Sequence, residues 1–294
     1  MTIETPETLE KYRQAGRILK EVREAAAGRV QKGAKLLDVA DAIEADIVAR
    51  GGKPAFPVNI SLDAEAAHDT PEPGDLRVFA DDIVKLDIGV HIDGYIADTA
   101  VTVDLSGNPD LVKASETALE EAIKVVRAGA STADIGAAIE AAIDGFGFRP
   151  IYNLTGHGLE QFVQHAPPSI PNRKIGQGIT LQAGQVIAIE PFATDGVGIV
   201  VEGHYAEIFG LTALKPVRLP WERDMLKAIQ AFDGLPFARR WLADLKRSEK
   251  TLDALLRAGI IHAYPVLIEQ AGGMVSQAEH TLIVTEDGCE VTTR

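Results

Sequence analysis

Two aspartates in one short stretch of the sequence, Asp87 and Asp98, have the side chains and the spacing to hold a cation between them. They stand in two runs of β-branched and apolar residues, and the two runs flank the dipeptide Asp93-Gly94. An Asp-Gly pair in this setting predicts a β-hairpin, because both central residues of the tight turn need a positive φ. We therefore expect residues 82–104 to form two antiparallel strands.

The register of this hairpin decides where the two carboxylates point. With Asp93-Gly94 as a two-residue loop, Asp87 lies opposite Ala100. Asp98 then lies opposite Gly89. Because paired residues share a face of a sheet, as do residues two apart along one strand, the two aspartates are predicted to be diagonal neighbours on the same face.

Two adjacent carboxylates in an apolar hairpin repel each other and lose their hydration. Protonation of one carboxyl, a cationic partner or a metal ion would compensate. The simpler alternative is that one aspartate faces solvent or forms an ion pair with Lys85. A metal site needs more ligands than two aspartates, so the search extends to acids and histidines in other apolar or glycine-rich surroundings.

Three further residues could complete such a site. His157 stands between two glycines, which let the backbone approach closely and leave the imidazole ring unobstructed. Glu190 ends the apolar run 186–189 just before a proline, and Glu279 precedes the apolar run 280–284. Taken singly, each has an ordinary explanation as a solvated acid at the end of a strand or as a histidine in a turn.

As a set, these four carboxylates and one imidazole suit hard or borderline divalent ions such as Mn²⁺, Fe²⁺, Co²⁺ or Zn²⁺. Four acids around one ion would leave a large negative charge, whereas two ions would roughly neutralise it. Two ions about 3.5–4 Å apart form a known hydrolytic centre that produces a hydroxide nucleophile at neutral pH. His68 and His165 could bind a substrate carbonyl or stabilise an oxyanion beside it, or they could be ordinary hydrogen-bonding surface residues.

The composition limits the classes of function. The 294 residues include 43 acidic and 29 basic side chains, and the net charge of −14 argues against DNA binding, which needs basic patches. No apolar run approaches the ~20 residues that cross a bilayer, and the N-terminus has no basic-then-apolar signal. The single cysteine, Cys289, suits a reducing compartment. We therefore expect a cytoplasmic protein with no DNA or membrane contact.

Helical and strand patterns alternate along the chain in a way that would position these residues. Apolar residues recur at helical spacing in four segments, 6–22, 36–50, 109–128 and 132–144. The hairpin follows the first pair, and a strand-like segment rich in glycine and proline, 145–201, follows the second. The order of helix, helix and hairpin therefore occurs twice, as a pseudo-symmetric duplication would require.

Residues 215–258 break this pattern. Segments 220–229, 237–245 and 252–260 predict short helices, and strands are expected to resume at 278–285. This block therefore indicates a helical insertion. A DNA-binding helix-turn-helix is the alternative, and the near balance of acids and bases in this block argues against it.

Taken together, these motifs resemble the methionine aminopeptidases, in particular the type 2 class in its short archaeal form. The motifs that carry the resemblance, in chain order, are Ala55-Phe56-Pro57, Ala67-His68-Asp69-Thr70-Pro71, Lys85-Leu86-Asp87-Ile88-Gly89, Asp93 to Asp98, Gly156-His157-Gly158, His165, Ile189-Glu190-Pro191 and Gln277-Ala278-Glu279-His280-Thr281. The resemblance implies the pita-bread fold, an α/β (α+β) architecture in which helices cover a pseudo-two-fold antiparallel sheet. It also implies one catalytic domain over residues 1–294, with a helical type 2 insertion at 210–262.

The resemblance further implies a ligand set. Two divalent ions (Co, Mn, Fe or Zn) would be held by Asp87, Asp98, His157, Glu190 and Glu279. In the family the second aspartate and the last glutamate bridge the two metals, so Asp98 and Glu279 inherit that role.

The implied activity is removal of the N-terminal methionine from nascent polypeptides. Glu190 resembles the family's acid–base residue, while His165 and His68 would contact the scissile carbonyl and the leaving amine. The methionine pocket and its mouth would include Phe56, His204 and Tyr264, although a plain core role suits Tyr264 equally well. Contact with the ribosome and a monomeric state are further expectations from the resemblance.

The sequence departs from the family near the expected pocket. Gln164 stands where an aliphatic residue is usual, and Ala166-Pro167-Pro168 stands where a glycine is common. Two alternatives on the same fold stay open. One is a prolidase or Xaa-Pro aminopeptidase, whose usual N-terminal domain has no counterpart here. The other is a non-catalytic binding protein, although such relatives have lost metal ligands and tend to be basic.

Overall fold

The structure is a computed structural model that describes residues 2–294. Within that range it has six α-helices, one short 3-10 helix (Arg239–Leu242) and eighteen strands. The helices are α1 (Pro6–Ala27), α2 (Leu36–Ala49), α3 (Pro109–Val125), α4 (Thr132–Gly145), α5 (Pro220–Gln230) and α6 (Ser248–Arg257). The strands are β1 (Lys53–Pro54), β2 (Asn59–Leu62), β3 (Glu65–Ala67), β4 (Ile83–Ile92), β5 (Tyr95–Asp104), β6 (Arg149–Pro150), β7 (Thr155–Glu160), β8 (Val163–Pro171), β9 (Val186–Ile189), β10 (Phe192–Thr194), β11 (Val200–Glu202), β12 (Ile208–Leu211), β13 (Phe237–Ala238), β14 (Ile261–Tyr264), β15 (Leu267–Glu269), β16 (Val275–Gln277), β17 (His280–Val284) and β18 (Cys289–Val291).

The first half of the chain packs two helices on an antiparallel sheet. Helix α1 begins where Thr5 accepts a hydrogen bond from the backbone N–H of Thr8, with proline in the first turn. Strands β1, β2 and β5 all pair with β4. Leu19 of α1, Ile43 of α2 and Leu86 of β4 belong to one buried cluster, so the apolar stripes of both helices face this sheet.

The second half repeats this arrangement. Strands β18, β17, β9, β7 and β8 form a second antiparallel sheet in that order. Helices α3 and α4 cover it, and Leu119, Ile139, Ile187 and Leu282 lie in its buried cluster. The four predicted helices are therefore confirmed, and so is the repeated order of helix, helix and strands.

The hairpin at the centre of the first sheet has the predicted register. Asp93 and Gly94 have φ values of 52° and 87°, as a two-residue turn of this type requires. Asp87 pairs with Ala100, and Asp98 pairs with Gly89. The two aspartates consequently lie on the same face of the sheet.

The segment predicted as an insertion has a small apolar core, which includes Met225, Phe237 and Leu255 and extends to Phe209 on β12. Helices α5 and α6 confirm two of its three predicted helices. The predicted helix at 237–245 is wrong, because β13 pairs with β12 before the chain enters the short 3-10 helix. Strands also resume earlier than the predicted 278–285, because β14 already begins at Ile261. The pairing of β14 with β12 brings the two ends of the segment together.

None of the helices among residues 2–294 is both long and apolar enough to cross a membrane.

Candidate active site

The five predicted ligands converge from both halves of the fold on one cavity of about 470 Å³. Asp87 and Asp98 come from the first sheet, on β4 and β5. His157 lies on β7, Glu190 directly follows β9 and Glu279 directly precedes β17, all in or beside the second sheet. The structure therefore brings together residues that are up to 192 positions apart in the chain.

Strand pairing explains this convergence. On the second sheet His157 pairs with Ala188, and His280 pairs with Ile189, so the three ligands of this half stand at adjacent positions. Hydrogen bonds then join the two halves at the ligands themselves. The Thr281 hydroxyl accepts from the Asp98 backbone N–H at 2.7 Å and donates to the Asp98 carbonyl at 2.8 Å.

The ligand atoms lie close enough for shared coordination. One donor atom each from Asp98, His157 and Glu279 lie within 4.8 Å of one another. The Nε2 atom of His157 is 3.8 Å from Asp98 Oδ2 and 3.7 Å from Glu190 Oε1. Its Nδ1 atom lies 3.2 Å from the carbonyl oxygen of Gly158, which can only accept, so Nδ1 carries the proton. The lone pair of Nε2 therefore faces two carboxylates, as in an oriented metal-ligating histidine.

The carboxylates are buried with lone pairs that nothing satisfies. Asp98 and Glu279 are each 1% exposed. Among residues 2–294, Asp87 Oδ1, Asp98 Oδ1 and Glu279 Oε2 are buried and have no hydrogen-bond partner. Orphaned carboxylate oxygens in a dry pocket are costly unless a cation or a proton joins them. The donor set therefore fits divalent ions.

The pKa values point the same way. Burial raises the pKa of Asp87 to about 6. Burial, and then repulsion from neighbouring carboxylates, raise the pKa values of Asp98, Glu190 and Glu279 well above the ordinary range. Burial lowers the pKa of His157 to about 3, so its ring is neutral and available as a ligand. Bound cations would favour the ionised form of all four acids.

Lys85 does not provide that positive charge. Its ammonium group donates to the backbone carbonyls of Asp63 at 2.7 Å and Ile83 at 3.3 Å. The alternative of an ion pair between Lys85 and one of the hairpin aspartates is therefore wrong.

The two additional histidines line the same cavity. The His165 ring lies edge-on to His157, with 4.5 Å between the ring centroids. His68 has a φ of 67°, a strained value for a residue with a side chain, and its backbone N–H donates to Asn59 Oδ1. Its Nδ1 lies 3.3 Å from the Pro265 carbonyl. Burial lowers the pKa of His68 to about 4 and also lowers that of His165, so both rings are neutral at pH 7.

Phe56 and Tyr264 also line the cavity. The ring of Phe56 lies against β4 at Gly89, where a Cβ would come within 2.2 Å of it, so only glycine leaves room. Tyr264 packs edge-on to His68, with 5.7 Å between the ring centroids. His204 is exposed in the loop after β11 and is not one of the lining residues. A role for His204 at the pocket mouth stays a prediction.

Several polar residues that support the ligands received no role from the sequence. Gln277 donates to Asp87 Oδ2 at 3.3 Å, and the Thr99 hydroxyl donates to the Glu279 carbonyl at 2.6 Å. Asn59 pairs with Asp87 in the first sheet and lines the cavity. Each of the three is a polar residue beside apolar strand positions, and this pattern could have marked it as a candidate. Nothing in the sequence, however, connects each residue to its hydrogen-bond partner.

Comparison with known proteins identifies the family. The pattern of Metallopeptidase family M24 matches residues 10–286. The chain belongs to metallopeptidase family M24. A methionine aminopeptidase of Archaeoglobus fulgidus is 52% identical over 290 residues, covering 98% of this chain and 99% of the relative. A methionine aminopeptidase of Methanocaldococcus jannaschii is 45% identical over 291 residues, with the same two coverages.

The fold agrees with the family. The crystal structure of a methionine aminopeptidase from Thermotoga maritima superposes with a TM-score of 0.74 and covers 100% of both chains at 24% identity. The pita-bread fold expected from the motifs is therefore confirmed, as is the resemblance to methionine aminopeptidases. The buried cluster of Asp98, His157 and Glu279 is a candidate metal site of the kind a metallopeptidase needs.

Proposed function

We propose that this protein is a methionyl aminopeptidase that hydrolyses the first peptide bond of polypeptides beginning with methionine. The observation that carries the proposal is the cluster of buried carboxyl groups with unpartnered oxygens, which faces a cavity large enough for an amino-acid side chain. The near-full-length similarity to methionine aminopeptidases supports the choice of substrate.

The proposed cofactor is a pair of divalent ions, Co, Mn, Fe or Zn, held by Asp87, Asp98, His157, Glu190 and Glu279. The charge of four carboxylates favours two ions over one, and Asp98 and Glu279 would contribute to holding both. When bound, such ions lower the pKa of a water molecule and polarise the scissile carbonyl.

Glu190 is the proposed acid–base residue. Its side chain is 14% exposed and lines the cavity, with Oε1 3.7 Å from His157 Nε2. Burial and the charge of Asp87 raise its pKa, so it takes up a proton more readily than an ordinary glutamate. It can therefore accept a proton from the attacking water and deliver that proton to the leaving amine.

The two neutral histidines have complementary hydrogen-bonding capacity. Because the Pro265 carbonyl can only accept, His68 carries its proton on Nδ1, and its Nε2 is an acceptor. His68 is therefore suited to accept from the N–H of the scissile amide. His165 is open to the cavity beside His157 and can donate to the scissile carbonyl, where negative charge develops.

The pocket wall suits an unbranched apolar side chain. Phe56 and Tyr264 are proposed to contact the methionine, and His204 is proposed at the mouth. Residues 210–262 are the proposed type 2 insertion within a single catalytic domain over 1–294, supported by the separate apolar core of this segment. The proposal also includes nascent chains as substrates, a cytoplasmic location, contact with the ribosome and a monomeric state.

The decisive experiment measures metal content and peptide turnover together. Protein stripped with chelator is reconstituted with each divalent ion and assayed with a Met-Ala-Ser peptide and an Ala-Pro peptide. We expect two ions per chain and release of methionine from the first peptide. Cleavage of only the Ala-Pro peptide would indicate a prolidase, and failure to retain stoichiometric metal would indicate a non-catalytic binding protein.

A further inference from the structure

A buried arginine links the helical segment at 215–258 to the substrate pocket. Arg240 lies in the short 3-10 helix, and its side chain is only 5% exposed. One terminal nitrogen of its guanidinium contacts the carboxylate of Glu44 on α2, and the other donates to the Thr70 hydroxyl at 2.6 Å. The neighbouring Trp241 indole also donates to Glu44, at 2.7 Å.

Two partners of Arg240, Glu44 and Thr70, hold the same backbone residue. The Glu44 carboxylate accepts from the Val58 N–H at 3.2 Å. The Thr70 hydroxyl, while it accepts from Arg240, donates to the Val58 carbonyl at 2.7 Å. The two polar groups of Val58 are therefore fixed by two side chains that the single guanidinium connects.

Val58 is a buried core residue in the segment that carries part of the pocket wall. Phe56 and Asn59, on either side of it, line the cavity, and Asn59 pairs with Asp87 in the sheet. Asn59 also accepts from the backbone N–H of His68, which lies two residues before Thr70. The contacts of Arg240 therefore reach the segment that carries Phe56 and Asn59 and the segment that carries His68, two of those that line the cavity.

We propose that Arg240 is a positioning residue for substrate binding, an inference that rests on the proposed peptidase function. Through Glu44 and Thr70 it sets the distance of Phe56 and His68 from the metal ligands. The pocket then depends on the 215–258 segment through a buried polar link as well as through Pro236, which lines the cavity.

The chemistry of arginine explains why another cation would not replace it. The planar guanidinium presents donors in a fixed fork, so it can bind a carboxylate and a hydroxyl at once. A lysine carries a compact ammonium on a flexible stem and would keep the charge opposite Glu44 while losing the fixed link to Thr70. Charge balance and positioning can therefore be separated by substitution.

The test uses the metal-loaded enzyme and a Met-Ala-Ser peptide. In Arg240→Lys we expect KM to rise about tenfold, kcat to fall less than about threefold and the metal content to stay unchanged, since small misplacements of binding groups have such costs. Valine has nearly the same shape as threonine but lacks the hydroxyl that joins Arg240 to the Val58 carbonyl. Thr70→Val should therefore also raise KM. Hydrogen exchange should quicken in peptides covering residues 55–70 in both variants.

The matched control is Arg239→Lys in the same 3-10 helix, where the arginine pairs with Glu207 at 2.8 Å. Its KM should stay within about twofold of the wild type. A wild-type KM or unchanged hydrogen exchange at 55–70 in Arg240→Lys would overturn the inference, as would an equal KM increase in the control. If the wild type does not cleave the peptide, the proposed function fails, and the exchange measurement still decides whether Arg240 fixes the wall.

Discussion

One buried carboxylate outside the candidate metal site gives a sharp stability prediction. Glu269, on β15, is 1% exposed and accepts four backbone hydrogen bonds. Its Oε1 accepts from Val197 at 2.6 Å and Gly198 at 3.1 Å, and its Oε2 accepts from Ala271 at 2.8 Å and Gly273 at 2.9 Å. These hydrogen bonds connect the loops at residues 197–198 and 271–273. Both loops lie next to β15, whose Leu267 lines the cavity. The substitution to test is Glu269→Gln.

The magnitude follows from this geometry. Glutamine has nearly the same shape, but one of its two terminal atoms is an amide nitrogen that can only donate. Because each oxygen of Glu269 accepts two N–H groups, either orientation of the amide opposes two donors and loses two bonds. Hydrogen bonds to a charged group are worth about 1.5–3 kcal/mol each, so Glu269→Gln should cost about 3–6 kcal/mol of unfolding free energy. A typical domain has about 5–15 kcal/mol in total, so the loss should be obvious.

The pH dependence adds a second signature. Burial alone would raise the pKa of Glu269, but the four backbone N–H groups favour the carboxylate and hold the pKa below its ordinary value. A carboxyl group with a depressed pKa stabilises the fold above its unfolded pKa of about 4.3, and that contribution is lost as the pH falls. The difference between wild type and Glu269→Gln should therefore be constant from pH 8 to about pH 5 and shrink below it.

The assay is urea unfolding followed by tryptophan fluorescence, with chelator present so that ion binding does not contribute. Glu286→Gln, in the exposed loop between β17 and β18, is the control and should change stability by less than about 0.5 kcal/mol. A loss of less than about 1 kcal/mol in Glu269→Gln, or a difference that persists unchanged at low pH, would show that these backbone hydrogen bonds do not stabilise the ionised carboxylate.

Three further predictions concern the active site. Asp98→Asn should abolish hydrolysis and leave the circular dichroism spectrum unchanged; full activity with normal metal content would remove the hairpin from the mechanism. His165→Ala should lower kcat more than metal affinity, and an equal loss of bound metal would make His165 a ligand. Because burial raises the pKa values of Asp87 and its neighbours, ion binding must displace protons, so metal affinity should fall from pH 8 to pH 6. Calorimetry in buffers of different ionisation enthalpy measures that release, and a buffer-independent heat at pH 6 would contradict it.

The hairpin shows what the sequence alone can specify. A two-residue turn fixes the register, and the register fixes which side chains share a face. The diagonal placement of Asp87 and Asp98 therefore followed from the local sequence, and the structure agrees. The two-residue turn and the alternation along the strands were sufficient for this part.

The rest of the site depends on pairings that no local pattern encodes. His157 lies beside Glu190 because β7 pairs with β9, and Glu279 lies beside Asp98 because residues 277–281 contact β5. From the sequence, these ligands could be joined to the hairpin only through the resemblance to a known family. Contacts between residues 59 to 192 positions apart in the chain leave no short-range signal.

The wrong helix at 237–245 has a related cause. The segment has helical composition, but Phe237 and Ala238 pair with Phe209 and Ile208 as a strand. The Phe237 ring is fully buried and packs against Phe209 and Phe232, with 6.1 Å and 5.6 Å between ring centroids. Burial of this aromatic side chain outweighs the weak intrinsic preference for helix.

The seam between the two halves of the fold couples metal binding to stability. Thr99 donates to the Glu279 carbonyl, and Thr102 exchanges two hydrogen bonds with the backbone of Gln277, so β5 meets the last third of the chain at the ligands. Asp98 and Glu279 lie on opposite sides of this seam, and their mutual repulsion opposes its closure when both are ionised. If Asp98 and Glu279 hold divalent ions as proposed, their repulsion would be replaced by attraction across the seam. We therefore expect the buried acids of the proposed metal site to weaken the junction of the two halves in the metal-free protein, and divalent ions bound at that site to strengthen it.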